Sequence, residues 1–195
     1  MLHGGVQEGC EVTTLTCPTG LTIRLIPTRG MSILDVVSAK GGKLGWRSPI
    51  DDVVHPNTLS QESCGGTGRG QGFNEMMVRC GYAWAGHPVQ ADGMLYMLHG
   101  RAGNLQASRV EIDEAGTVYI RGLMKEKGFK NINFEISTEL CYISGSPYFT
   151  LRDVITNRDE YPHDYQTNYN SNIGTPHVRR GRAFSGARMR YITFQ

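Results

Sequence analysis

Apolar and polar residues alternate with a period of two along most of the chain. Residues 21–26 read Leu-Thr-Ile-Arg-Leu-Ile before a Pro27–Gly30 turn, and a second apolar run extends from Met31 to Val37 before Lys40-Gly41-Gly42. Such alternation is typical of half-buried β-strands, because successive side chains of a strand point to opposite faces of the sheet. The pattern therefore predicts strands at 21–26 and 31–37.

Two later pairs of runs predict β-hairpins, because turn residues separate the members of each pair. Residues 109–113 and 117–123 flank a Glu-Ala-Gly turn, and residues 133–143 and 148–155 flank a Ser-Gly-Ser-Pro turn. The strands of the second hairpin are long, so they are expected to belong to a large sheet.

One segment breaks the pattern. Gly72 to Cys80 has a helix-compatible composition, which predicts one or two helical turns. The glycines between Gly65 and Gly72 lack both the G-K-[ST] of a phosphate-binding loop and a surrounding βαβ unit, which favours a loop at the rim of a cleft. Residues 55–98 as a whole are predicted to be mostly loop.

Composition supports the same class of fold. The 195 residues suffice for one domain with a hydrophobic core, and the 25 glycines suit many strands joined by tight turns. The predicted fold class is therefore all-β, an antiparallel sandwich of the large kind.

Charge is distributed unevenly along the chain. Five arginines and no acidic residue follow His177, whereas residues 1–178 carry 15 basic and 18 acidic residues, a net charge of −3. This mildly acidic body argues against nucleic acid as a partner. The basic tail at 179–195 is interpreted either as an arm for RNA or anionic lipid, or as sequence added by read-through or at an appended end.

The sequence also lacks several signatures. Its five cysteines and six histidines show no C-x-x-C or H-E-x-x-H spacing, so no metal site or cofactor is predicted and the thiols are expected to be reduced. The first residues do not form a signal peptide, and no apolar run approaches the roughly 18 residues of a membrane helix. A cytoplasmic protein that does not act at a membrane is expected.

Leu98-His99-Gly100-Arg101 is the first candidate for chemistry. His99 ends a short apolar run, and Gly100 allows the backbone to approach another group closely. A histidine placed in this way can donate a hydrogen bond to an oxygen atom or transfer a proton near neutral pH. A purely structural histidine is the alternative.

A second candidate is the polar stretch from Asn157 to Asn172, which contains His163 together with amides, carboxylates and tyrosines. Amides and carboxylates suit the recognition of hydroxyl groups, and a tyrosine ring can pack against the apolar face of a sugar. A solvated asparagine-rich turn is the alternative. Trp46 with His55 is a third candidate, although core packing suits Trp46 better.

Several short motifs occur in an order that resembles a known family. They are Gly30-Met31, Gly45 to Pro49, His55-Pro56, Gly72-Phe73, Val78 to Gly81, Leu98 to Arg101, and Tyr169 to Gly174 with Pro176. Over residues 20–178 the chain is similar to the uncharacterised mutarotase-like family DUF4432, which lies within the galactose mutarotase-like, aldose 1-epimerase superfamily.

The resemblance implies a large antiparallel β-supersandwich whose concave face holds a sugar. It also implies an enzyme that interconverts the anomers of an aldose by acid–base ring opening, without metal or cofactor. By position, His99 matches the histidine that hydrogen-bonds the sugar near its reacting centre, and Arg79 is the candidate ligand of sugar hydroxyls. The other residues of the implied carbohydrate site are Arg101, Tyr169, Asn170 and Asn172.

The chain departs from the family pattern in two places. The second histidine of the superfamily, its general acid, corresponds to Asn170, which can hydrogen-bond a ring oxygen but cannot deliver a proton. His163 is the candidate to replace it, so His99 and His163 are the implied catalytic pair. Family members are longer, and their usual catalytic base is a glutamate near the C-terminus, so the remaining strands and this base are expected to be missing here. Residues 1–178 are therefore expected to be a partial mutarotase-like domain, and residues 179–195 a tail of non-family sequence.

Three functions remain open at this point. The first is an aldose 1-epimerase-like isomerase in the complete protein, and the second is a non-catalytic sugar-binding module of the same fold. The third is a truncated product without independent activity. The partner in the first two is a small-molecule carbohydrate, and neither the sugar nor the oligomeric state follows from the sequence.

Overall fold

The computed structural model describes residues 1–40, 42–91, 93–114, 116–128 and 132–175, and strands dominate these residues. The strands are β1 (Thr13–Thr16), β2 (Leu21–Ile26), β3 (Ser32–Ser38), β4 (Gly42–Lys43), β5 (Met77–Tyr82), β6 (Val89–Ala91), β7 (Met94–Tyr96), β8 (Arg109–Asp113), β9 (Thr117–Lys127), β10 (Asn133–Ile143), β11 (Phe149–Asn157) and β12 (Gln166–Ser171). The helical segments are α1 (Ser63–Gly66) and 3₁₀ turns at Gly5–Gln7, Pro27–Arg29, Pro56–Thr58, Gly68–Gly72 and Ala102–Asn104. The predicted basic tail lies outside the described residues.

Two antiparallel sheets form the body of the fold. The first has the strand order β1-β2-β3-β5-β12, with β4 beside β3, and the second is a meander in the order β11-β10-β9-β8. The hairpin β6–β7 forms a separate two-stranded sheet. The predicted all-β antiparallel sandwich is therefore confirmed.

The main hydrophobic core contains buried side chains from both sheets. Ile23 and Leu25 of the first sheet belong to the same cluster as Met124 and Ile136 of the second. In β9 and β10 every second residue is buried over much of the strand, because one face of the meander covers the core and the other faces solvent.

The predicted strands are confirmed with small shifts. β2 has the predicted bounds, whereas β3 begins and ends one residue later than expected. Both predicted hairpins form, as β8–β9 and β10–β11. β9 continues to Lys127, beyond the predicted end at residue 123, and this extension contributes to the candidate site described below.

The helical turns predicted from Gly72 to Cys80 are wrong. A 3₁₀ turn ends at Gly72, and Met77–Tyr82 is strand β5, all of whose residues are buried. β5 lies between β3 and β12 in the first sheet. A strand in such a position, covered on both sides, carries no alternating pattern that would distinguish it from a short helix in the sequence.

Candidate functional site

The segment containing His99 is attached to the end of β5 by backbone hydrogen bonds. The Gly81 N–H donates to the His99 carbonyl oxygen at 2.8 Å, and the Arg101 N–H donates to the Gly81 carbonyl oxygen at 3.1 Å. His99 has a φ of 59°, in the left-handed region that few residues other than glycine adopt. Backbone in this region costs energy, and the two bonds to Gly81 hold the segment in place.

Gly100 makes the close approach that the sequence predicts. Its φ is 66°, and a Cβ atom there would lie 1.9 Å from the Trp84 carbonyl oxygen and 2.6 Å from that of Gly81. Only glycine fits such a position without movement of the backbone. The contact holds the chain after His99 against the loop that follows β5.

The environment of the His99 ring fixes which nitrogen carries the proton. Nδ1 lies 3.3 Å from the Ala85 carbonyl oxygen, which can only accept, so Nδ1–H is the donor and Nε2 keeps its lone pair. Burial lowers the pKa of His99 below its usual value and the charge of Arg69 acts in the same direction, although the hydrogen bond to the Ala85 carbonyl opposes part of the fall. His99 is therefore expected to be neutral at physiological pH, which suits a proton acceptor.

Arg69 is a buried cation that the sequence analysis did not single out. Its Nη1 donates to Cys80 Sγ at 3.2 Å, and its guanidinium lies 5.6 Å from the centre of the Phe73 ring. Its Nη2 is buried and has no hydrogen-bond partner among the described residues. A positive charge in this place helps to keep His99 unprotonated.

A cavity of about 160 Å³ adjoins the His99 segment. Its lining includes Trp84, Tyr96, Met97, Gly100, Arg101 and Glu126. The rings of Trp84 and Tyr96 have centroids 5.6 Å apart at an angle of 48°, and they form an aromatic wall. Aromatic walls with a few polar groups are typical of sites for small ligands.

Glu126 is the carboxyl group of this cavity, and the sequence analysis missed it. The residue is 3% exposed, and its Oε2 accepts a hydrogen bond from the Ala83 N–H at 3.3 Å. Burial raises the pKa of Glu126 above its usual value, although the hydrogen bond and the charge of Arg101 oppose part of the rise. Arg101, a predicted ligand, is exposed and lies in the lining of the same cavity.

Two other predicted ligands, Arg79 and Tyr169, meet at Asp153 in a buried network. Arg79 donates to both Asp153 oxygens, from Nε at 2.6 Å and from Nη2 at 2.9 Å, and its Nη1 donates to the carbonyl oxygens of Gly30 and Met31. The Tyr169 hydroxyl donates to the same carboxylate at 2.7 Å. These contacts join the two sheets, and the sugar-binding roles of both residues stay predictions.

The charge state of this network follows from its contacts. Burial alone would raise the pKa of Asp153, but the Arg79 charge and the hydrogen bonds from Arg79, Tyr169 and Thr138 hold it below its usual value. Burial and the neighbouring carboxylate raise the pKa of Tyr169. Asp153 is therefore a carboxylate, and Tyr169 a hydroxyl, at neutral pH.

The remaining predicted residues lie on or near β12. Asn172 Nδ2 donates to the Glu75 carbonyl oxygen at 3.1 Å, the same oxygen that accepts from Trp46 Nε1. Asn170 is half-buried opposite Val78, and its side chain has no hydrogen-bond partner within the described ranges. These two amides therefore differ, since only the Asn172 side chain is hydrogen-bonded to another described residue.

His163 lies in the connection between β11 and β12. Its Nε2 is 3.0 Å from Asp159 Oδ2, and its ring meets the Phe134 ring edge-on. In the described part of the chain no hydrogen bond, ion pair or ring contact joins His163 to His99. The structure thus brings Arg101 and the His99 segment to one cavity and gives His163 a separate carboxylate partner.

A second, larger cavity of about 510 Å³ is lined by residues from the N-terminal segment, from β1 to β4 and from the chain between β4 and β5. It contains none of the predicted site residues. Its charged lining includes Arg24 and Asp35, which form an ion pair with each other. The cavity beside the His99 segment is the better candidate, because an aromatic wall and the buried carboxyl group of Glu126 line the same space.

The described residues contain no group of three or more His, Cys, Asp or Glu side chains placed to hold a metal ion. Within the same residues, no helix is both long enough and apolar enough to cross a bilayer.

Comparison with solved structures defines the class of protein. The chain matches the crystal structure of a "putative aldose 1-epimerase" from Klebsiella pneumoniae with a TM-score of 0.86 and 52% sequence identity, over 90% of this chain and 46% of that chain. The fold is therefore the all-β sandwich of the aldose 1-epimerase-like superfamily, and this chain spans about half the length of that relative.

The chain belongs to the DUF4432 family, described as a domain of unknown function, whose model matches residues 7–192. The family predicted from the sequence is thereby confirmed. The match extends into the arginine-rich segment. A search of curated proteins gave no match.

Proposed function

We propose that this chain is part of a carbohydrate-binding protein that, in its complete form, interconverts the anomers of an aldose by acid–base ring opening. The observation that carries the proposal is the His99 segment beside an aromatic-walled cavity. Bonding of Nδ1–H to the Ala85 carbonyl leaves Nε2 of His99 with its lone pair, and burial lowers the pKa of the ring. The name of the relative from Klebsiella supports a sugar as the ligand.

Ring opening requires two proton transfers and no redox step. A base removes the proton from the anomeric hydroxyl, an acid protonates the ring oxygen, and the open-chain aldehyde rotates before the ring closes again. Each transfer by a positioned side chain typically contributes a factor of about 10²–10⁴. The proposal assigns the first transfer to His99.

The His99→Asn variant tests this assignment. Asparagine tolerates positive φ and can still donate to the Ala85 carbonyl, but it has no basic nitrogen. In the full-length protein, we expect the rate of mutarotation of freshly dissolved α-D-glucose or α-D-galactose, followed by polarimetry, to fall about 10²-fold or more relative to the unsubstituted protein. His3→Asn, at an exposed histidine paired with Glu8, is the matched control and should leave the rate unchanged. An unaltered rate in His99→Asn would show that the base lies elsewhere.

A non-catalytic sugar-binding module is the second candidate function. Asn170 stands where the superfamily has its acid and cannot donate a proton to a ring oxygen as an acid does. Binding of sugar without acceleration of mutarotation by the full-length protein would favour this candidate over the first.

A further inference from the structure

Glu126 occupies an inward-facing position of β9 where an apolar residue is expected. Met124 and Ile120, two and six residues before it, are buried in the hydrophobic core. Glu126 itself is only 3% exposed. A carboxyl group on this face is costly to bury unless it is hydrogen-bonded or has a function.

Glu126 has one oxygen engaged and one available. Oε2 accepts from the Ala83 N–H at 3.3 Å, whereas Oε1 has no hydrogen-bond partner in the part of the chain that the structure describes. Oε1 is not fully enclosed, in contrast to Arg69 Nη2, which also lacks a partner. Since Glu126 lines the cavity of about 160 Å³, a ligand there can reach this oxygen.

Arg101 brings a positive charge to the same cavity without pairing with Glu126. Burial raises the pKa of Glu126, and the charge of Arg101 opposes part of the rise, so the two groups are near one another. Within the described ranges, however, no ion pair or hydrogen bond joins them. A guanidinium group only donates hydrogen bonds, and the free oxygen of a carboxylate only accepts them. A single hydroxyl group, which does both, can satisfy the two side chains at once.

The rest of the lining is mainly apolar and suits one six-membered ring. Trp84 and Tyr96 form one wall, and a hydrogen bond from Trp84 Nε1 to the His87 carbonyl oxygen at 2.9 Å holds the indole in place. A cavity of roughly 150 Å³ takes a benzene ring, so about 160 Å³ gives room for the ring of one pyranose. Leu95, another lining residue, is 38% exposed, so substituents of the ring can extend into solvent.

The charges of the lining select the chemistry of the ligand. An anion would meet the buried carboxylate of Glu126, and a cation would meet the guanidinium of Arg101. The third charged residue, Lys127, follows Glu126 in β9 and directs its side chain to the opposite face of the sheet. A purely apolar ligand would leave the free oxygen of Glu126 without a partner and without water, which is costly. A neutral ring that carries hydroxyl groups avoids all three costs.

We propose that this cavity binds one neutral pyranose, whose ring packs against Trp84 and Tyr96 and one of whose hydroxyl groups donates to Glu126 Oε1 and accepts from Arg101. Aromatic side chains suit this packing, because they offer a large apolar surface to the apolar face of a sugar. The inference rests on the proposed function, which supplies the sugar, and deepens it by naming the residues that bind the sugar. It concerns binding alone and is independent of which side chains transfer protons.

The Glu126→Gln variant of the full-length protein tests the role of the carboxylate. Glutamine keeps an acceptor for the Ala83 N–H and nearly the same volume, but its amide presents a donor to a hydroxyl that already faces the donor of Arg101. By isothermal titration calorimetry we expect the affinity for D-glucose or D-galactose, whichever binds more tightly, to fall about tenfold or more, because a hydrogen bond to a charged group is lost. Glu139→Gln, at a partly exposed carboxylate paired with Arg121, is the matched control and should leave the affinity unchanged. An unchanged affinity in Glu126→Gln would overturn the inference.

Analogues that each lack one hydroxyl show whether a single hydroxyl contacts both side chains. The 1,5-anhydro, 2-deoxy, 3-deoxy, 4-deoxy and 6-deoxy analogues of the same sugar are titrated into the unsubstituted protein, Glu126→Gln and Arg101→Met. We expect one analogue to bind the unsubstituted protein about tenfold or more weakly than the parent sugar and to lose nothing further in either variant. Equal losses of all the analogues in both variants, or a different insensitive analogue for each variant, would overturn the shared hydroxyl.

Tyr96→Leu tests the aromatic wall. We expect the same sugar to bind about threefold or more weakly, because leucine replaces an aromatic ring. Tyr148→Leu, at a tyrosine that is 64% exposed in the turn between β10 and β11, is the matched control and should bind as the unsubstituted protein does. Full affinity in Tyr96→Leu would place the sugar away from this wall and contradict the proposal.

The outcomes separate the inference from the proposed function. If the full-length protein neither binds a sugar nor accelerates mutarotation, the proposed function fails and the inference fails with it. If the protein binds a sugar and Glu126→Gln keeps the affinity, only the inference is overturned. If the protein binds a sugar without acceleration, and Glu126→Gln binds it weakly, the inference stands and the catalytic function does not.

Loss of folding is recognised by the melting temperature of each variant. Glutamine should not lower it at neutral pH, because the amide avoids the burial of a carboxylate. Should Glu126→Gln nevertheless misfold, Arg101→Met decides, since Arg101 is exposed and its replacement should leave the fold intact. A loss of affinity confined to sugars that carry one particular hydroxyl would then support the inference, and an unchanged affinity would overturn it.

Discussion

Asp153→Ala is expected to destabilise the fold by about 3–5 kcal/mol, because it leaves a buried charge without its counter-charge. The Arg79 side chain is 0% exposed and directs two N–H groups to Asp153, and Thr138 and Tyr169 donate to the same carboxylate. Removal of the carboxylate leaves all three donors without this acceptor. Urea unfolding followed by circular dichroism should show a lower midpoint. The expected loss is a large part of the free energy of unfolding of a typical domain, roughly 5–15 kcal/mol.

The matched control is Glu139→Ala, which removes a carboxylate from a partly exposed ion pair. Arg121 Nε lies 2.7 Å from Glu139 Oε2, but the two side chains are 38% and 28% exposed. Exposed pairs of this kind contribute about 0–1 kcal/mol. Equal losses in the two variants would refute a special contribution from the Asp153 network. Asp153→Asn, which keeps the shape and removes the charge, should fall between them.

Gly100→Ala is expected to lower the free energy of unfolding by about 3 kcal/mol or more and to abolish sugar binding. The reason is that both the positive φ and the close backbone contacts of Gly100 exclude a side chain. The atoms that a methyl group would strike are the carbonyl oxygens of Trp84 and Gly81. Relief of the clash requires the chain after His99 to move away from Gly81, which would also misplace the imidazole. The melting temperature measures the loss of stability. Tryptophan fluorescence during titration with 1,5-anhydroglucitol, a pyranose without an anomeric hydroxyl, measures the loss of binding.

Gly145→Ala separates the two causes. Gly145 has a φ of 81° in the turn between β10 and β11, but a Cβ atom there would meet no heavy atom within 4 Å. This variant therefore carries the backbone cost alone, about 1–2 kcal/mol, and should leave sugar binding intact. Similar losses in Gly100→Ala and Gly145→Ala would mean that the contact with the Trp84 carbonyl is unimportant.

The strands could be predicted from the sequence where one face is buried and the other is exposed to solvent. β2, β9 and β10 alternate visibly, and the predicted positions agree with the structure within a few residues. β5 has no such alternation, because all of its residues are buried, and the composition of its segment wrongly predicts helical turns. Periodicity carries information about exposure, so it fails for a strand with no exposed face.

The candidate site could be predicted in part. The motif around His99 pointed to a segment that borders a cavity, and its Gly100 signals the close approach of two backbones. Glu126 was missed, although its position two residues after Met124 in an alternating strand places a carboxylate in the apolar register. The signal was present, but the predicted strand ended at residue 123. The attachment of Arg79 to Asp153 joins residues 74 positions apart and has no local signature.

The meander β8-β9-β10-β11 has a consequence for the order of folding. Its strands are contiguous in the chain and pair with their sequence neighbours, whereas β12 pairs with β5, so that Gln166 lies opposite Tyr82. Local pairings close short loops and form faster than distant ones. We therefore expect pulse-labelled hydrogen exchange during refolding to protect the amides of β9 and β10 before those of β5 and β12. The pairing of β12 with β5, which forms last, also brings Tyr169 to Asp153. The buried polar network between the two sheets would therefore be completed late in folding. Simultaneous protection of all four strands would contradict this order.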